Sequence, residues 1–170
     1  MKIENLNQLL EHNLQDLYSA EKQIIEVLPK MIAKATHKEL KNAFEKHLTE
    51  TEKQRDRLEK ACKMLGAEHE GEKCLAMQGL VKEAEHFLKE DMTPEVCDAG
   101  MIGLAQKIEH YEIAGYGTVV TWCRELGHDD VCALLEQTLA EEKLTDETLT
   151  QIAESTVNMD AEGPLKENSY

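Results

Sequence analysis

Glu21, Glu50, Glu112 and Glu142 each interrupt a stripe of apolar residues. Around Glu21 the stripe reads Leu10, Leu14, Leu17, Ile24, Leu28 and Met31, and around Glu50 it reads Leu40, Ala43, His47, Gln54, Leu58 and Ala61. Glu112 lies among Ile102, Ala105, Glu109, Tyr116, Val119 and Cys123, and Glu142 among Val131, Leu135, Thr138, Thr145, Leu149 and Ile152. At about 3.6 residues per turn, each set occupies one face of a helix and points to a core. An unpaired buried carboxylate is too costly to be a routine core residue. Several at one level imply a cation between them, held by oxygen ligands.

One turn from these acids stand further donors. Glu109 precedes Glu112, Asp146 follows Glu142, His47 precedes Glu50 and Gln54 follows it. The expected metal ligands are therefore Glu21, Glu50, Glu109, Glu112, Glu142 and Asp146. His47 and Gln54 are candidates for an additional ligand or for hydrogen bonds that support one. The common two-metal pattern of helical bundles places Glu-x-x-His on two helices. Here the third position after Glu50 is Lys53 and after Glu142 is Thr145, so the set is oxygen-rich and poor in nitrogen. Hard cations suit such donors, which makes two metal ions, iron with Mg, Mn or Ca as alternatives, the expected cofactor. Without a cation, burial and mutual repulsion would raise the acids' pKa values.

Long helices are needed to carry these stripes. The first is expected from Asn5 to Ala35, with Pro29 a point of kinking. Thr36 and Glu39 have capping-box spacing, so the second helix should start there and run to Leu65, ahead of Gly66. A shorter helix is expected from Cys74 to Glu90. Thr93-Pro94 marks the start of the next long helix, which ends before Gly127. The last runs from Asp129 to Val157. Glu21 lies 15 residues before Thr36 and Glu50 lies 14 after it; Glu112 and Glu142 each lie 15 from Gly127. At a rise of about 1.5 Å per residue, each hairpin sets its two acids opposite one another, roughly 22 Å from its turn. The fold class that follows is all-α: a ferritin-like four-helix bundle of two antiparallel hairpins, with a short fifth helix in the long crossover. Residues 1–157 form one domain, and residues 158–170 are expected as a flexible C-terminal tail.

Composition agrees. The chain is 41% hydrophobic but only 4% aromatic, a mix that favours helices packed by aliphatic layers. A net charge of −15 repels phosphate backbones and anionic lipid, which argues against nucleic acid and membrane as partners. Cys62, Cys74, Cys97, Cys123 and Cys132 form no CxxC pair, and an odd count suits reduced thiols. Met1 to Leu10 does not read as a targeting segment, so a cytoplasmic location is expected.

The segments Tyr18-Ser19-Ala20-Glu21-Lys22-Gln23, His47-Leu48-Thr49-Glu50-Thr51, Gln106-Lys107-Ile108-Glu109-His110-Tyr111-Glu112-Ile113-Ala114, Tyr116-Gly117-Thr118 and Glu141-Glu142-Lys143-Leu144-Thr145-Asp146 carry a family likeness. At these residues the chain resembles the YciE/YciF stress-protein family of the ferritin-like superfamily, over nearly its whole length to Asn158. The resemblance implies a rubrerythrin-related bundle, a homodimer, a two-metal site and a role in stress. The function expected is a metal-binding, iron-preferring protein that oxidises Fe(II) with peroxide or oxygen. The alternative is a non-enzymatic dimeric bundle whose carboxylate site is structural or vestigial.

Overall fold

The computed structural model describes residues 3–163. Its helices are α1 (Leu6–Lys34), α2 (Lys38–Leu65), α3 (Leu75–Phe87), α4 (Pro94–Glu125), α5 (Asp129–Ile152) and α6 (Asn158–Ala161), with a π-helical turn at Ala153–Val157 before α6. No strand occurs among the described residues. No helix among them is long and apolar enough to cross a membrane. Asn158–Ala161, read from sequence as the start of the tail, is still helical, while residues 164–170 of that tail lie outside the described residues.

Short connections make α1–α2 and α4–α5 antiparallel hairpins, and across the bundle α1 packs on α4 and α2 on α5. The crossover helix α3 rests on α1 and α4. Its first residues are pinned there by backbone groups. The Cys74 amide donates to Ser19 Oγ at 2.9 Å, and Gln23 Nε2 donates to the Cys74 carbonyl at 3.1 Å. Cys74 Sγ also lies 3.0 Å from Tyr111 Oη, whose hydroxyl donates to Asp16. α1 passes Pro29 as one helix. Gly100 admits the Phe87 ring so closely that a Cβ there would lie 2.0 Å from Phe87 Cζ, so α3 and α4 approach through that glycine.

The α2 start departs from expectation. His37, not Thr36, is its N-cap, and no capping box forms. Thr36 instead turns to α4, where buried Asp98 accepts from the Thr36 amide (3.0 Å), the Thr36 hydroxyl (2.6 Å) and the His37 amide (2.8 Å). A tertiary carboxylate thus takes the place of the local cap. Asp98→Ala is expected to cost about 2–3 kcal/mol, because it strands two backbone donors and a hydroxyl. Urea unfolding of the variant checks this, with an unchanged midpoint as the contrary result.

The core falls into two large apolar clusters and a small third, Val27, Ala84 and Leu104, beneath α3. One surrounds the α1–α2 turn with Ile24, Leu28, Met31, Leu40, Phe44, Met101, Ile102, Ile108 and Leu149. The other surrounds the α4–α5 turn with Leu10, Leu14, Leu17, Leu58, Tyr116, Val119 and Leu135. The turns sit at opposite ends of the bundle, and the layer between the clusters is polar.

Candidate metal centre

That layer is built from all four long helices. α1 contributes Glu21, α2 His47, Thr51 and Gln54, α4 Glu109 and Glu112, and α5 Thr138, Glu142 and Thr145, all of them buried. Spacings of three and four residues put each helix's donors on one side of it. One ligand atom from each of His47, Glu109, Glu112 and Glu142 lies within 4.8 Å of the others. Glu21 adjoins Glu112, and its Oε1 accepts a hydrogen bond from the buried Tyr116 hydroxyl.

Most of these oxygens lack partners. Glu21 Oε2 and both carboxylate oxygens of Glu109, Glu112 and Glu142 are buried and meet no hydrogen-bonding donor among the described residues. His47 Nδ1 and Gln54 Oε1 are likewise unpartnered. His47 Nε2 comes within 3.2 Å of Glu109 Oε1 but outside hydrogen-bonding geometry. An unsatisfied buried polar group costs about 1–3 kcal/mol, so a natural core does not collect them without use.

Burial, and after it the neighbouring acids, push the Glu21, Glu109 and Glu112 carboxyls well above the usual carboxylate range. Burial raises Glu142 to about 7. Arg57 opposes the rise at Glu21 and Glu142. His47 moves the other way, to about 4, because burial and then Lys46 disfavour its cation. Without a cation, burial thus favours the neutral forms of Glu21, Glu109 and Glu112 around a neutral imidazole. A cation entering the layer would displace protons and gain oxygen ligands with one nitrogen.

Sequence candidates divide at this point. Glu21, His47, Glu109, Glu112 and Glu142 converge on the layer. Glu50 and Asp146 stand at its edge, with side chains 20% and 22% exposed. Glu50 pairs with Lys46 at 3.1 Å, while Asp146 accepts from Gln106 Nε2 at 3.1 Å and lies 3.3 Å from His110 Nε2. Gln54 donates to Glu141 at 3.1 Å. Sequence reasoning missed Arg57 and Glu141. Arg57 holds Glu141 through both guanidinium nitrogens at 2.6 and 2.8 Å and also donates to Thr138 Oγ1 at 3.1 Å. Arg57 lies seven residues beyond Glu50, the same spacing that relates inward stripe positions, so its approach to the layer was readable in principle.

The family described as "Domain of unknown function (DUF892)" matches residues 5–162. Protein YciF of Escherichia coli K12 is 40% identical over 163 residues, 95% of this chain and 98% of YciF. The crystal structure of that E. coli stress protein superposes with a TM-score of 0.88 at 39% identity, covering 92% of this chain and 99% of YciF. The structure of YcfI from Rhodopseudomonas palustris gives a TM-score of 0.85 at 44% identity, covering 88% of this chain and 95% of YcfI. A Xanthomonas campestris protein gives 0.76 at 25% identity, covering 93% and 97%.

Proposed function

The chain belongs to the DUF892 family, and on that premise we propose that its polar layer is a two-metal carboxylate centre serving a stress-response role. One observation carries the reading: buried carboxylate oxygens without donors, on residues whose ligand atoms lie within 4.8 Å of one another. Glu21, Glu109, Glu112 and Glu142 would hold the ions through oxygen, and His47 through Nε2. Tyr116 orients Glu21 by its hydrogen bond, and Arg57 offsets part of the negative charge. The donor set favours iron, with Mg, Mn and Ca as the other hard ions it would accept. Bound there, redox-active ions would supply one-electron chemistry toward a small oxidant such as peroxide or oxygen. The stress role follows the description of YciF. Dimerisation enters the reading through the family resemblance, and a cytoplasmic location through the cysteine usage.

Anaerobic titration of metal-free protein with Fe(II), followed by elemental analysis, tests it. About two ions per chain are expected, as for other bundle sites of this type. Glu112→Ala combined with Glu142→Ala should abolish the uptake. Less than one ion per chain, undiminished in that variant, would sink the proposal.

A further inference from the structure

The buried layer needs an approach from solvent, and the four seams of the bundle are not equivalent. α3 packs over α1 and α4 and closes that side. On the α4–α5 side, Gln106 bridges Asp146 and Thr150 with bonds of 3.1 and 2.8 Å. The α2–α5 seam is different. A surface groove there is lined by Glu39, Ala43 and Lys46 of α2 and by Thr148 and Ile152 of α5. Lys46, on the groove's lining, reaches one turn along α2 to pair with Glu50 at 3.1 Å, and at 58% exposed it is a solvated, exchangeable partner. Further along the seam, Arg57 and Glu141 form a two-pronged ion pair with side chains only 14% and 21% exposed, a firm stop.

Between the exchangeable pair and the stop lies Gln54. The residue is 1% exposed, its amide nitrogen is fixed by Glu141, and its Oε1 is buried without a partner. Fixing the nitrogen sets the amide's orientation, leaving the carbonyl oxygen free to accept from a cation. One turn of α2 separates Glu50 from Gln54, and Glu50 is near enough to Glu142 to act on its charge.

We infer that cations reach the buried layer through the α2–α5 seam, taken first by Glu50 in exchange for Lys46 and passed inward by the Gln54 carbonyl. This inference rests on the metal-binding reading and assigns Glu50 to transit rather than to the final coordination. Charge at a mouth raises the local cation concentration, so its loss acts on rate more than on affinity.

Stopped-flow uptake of Co(II) by metal-free protein, read by its absorption, with bound metal counted afterwards, provides the test. Glu50→Gln should slow uptake about tenfold while leaving the final metal content unchanged. Lys46→Met should speed it, and Asp146→Asn, on the other seam, should leave the rate alone. Unchanged uptake in Glu50→Gln, equal slowing in Asp146→Asn, or metal lost from Glu50→Gln at the end point would each overturn the route. Failure of the unaltered chain to take up any Co(II) would instead overturn the metal-binding reading itself.

Discussion

Metal-free protein carrying Glu112→Met is expected to melt higher than the unaltered chain. The usual result of altering a fully buried residue is destabilisation, so the sign is diagnostic. Glu112 buries two oxygens that no donor outside the carboxylate layer reaches, between Glu21, Glu109 and Glu142. Methionine keeps a similar length and flexibility and removes both oxygens. It also removes a carboxyl whose ionised form would repel the neighbouring acids. Recovering the desolvation cost of one such group is worth about 1–3 kcal/mol. For a chain of this size that is a rise of about 2–4 °C per kcal/mol. The same variant should lose the stabilisation that added metal gives the unaltered chain. A lower melting temperature for the metal-free variant would mean that Glu112 is satisfied by something other than a cation.

The second large effect is on pH. An acid whose pKa is higher folded than unfolded binds more protons in the folded state, so stability falls as pH rises between the two values. Glu142 moves from 4.5 to about 7, and Glu21, Glu109 and Glu112 move in the same direction. Their contribution is intact below 4.5 and is lost as pH climbs through the folded values. His47, lowered from 6.5 to about 4, acts oppositely: its contribution is present above 6.5 and is lost as pH falls through 4. The two trends overlap in acid, but above pH 6.5 only the carboxylates remain. In chelator, the unfolding free energy should therefore fall from pH 6.5 to about 8.5, by up to about 1.4 kcal/mol per pH unit for each group titrating, and the melting temperature with it. With metal present the fall should vanish, since ligation already requires the protons to leave. Differential scanning calorimetry across that range decides it, and a flat profile in chelator would contradict the assignment of the shifts.

The periodicity of Leu10, Leu14, Leu17 and Glu21, and its counterparts, was sufficient to find all four long helices and the level at which they meet. It worked because amphipathic spacing is a local property. The start of α2 was not legible, because Asp98, 62 residues from Thr36, outcompetes the local capping box. The direction of Glu50 was not legible either. Its position allows a turn inward or toward Lys46, one turn before it on the same helix, and it pairs with Lys46. The spacing marks His47 only as a candidate, and its convergence with Glu109, Glu112 and Glu142 depends on α2 packing on α5 and facing α4 across the core. Arg57 and Glu141 form a contact across 84 residues that no single stripe displays.

The polar layer also determines how the bundle holds together as a whole. Its two large apolar clusters share helices, and of the residues packed at their borders Tyr111 touches both. Between them the helices are linked at the polar layer by Tyr116 to Glu21 and by Arg57 to Glu141 and Thr138. Cations held in that layer would act as a rivet through the middle of the bundle, so the same carboxylates would bear on the protein's unity as well as its chemistry.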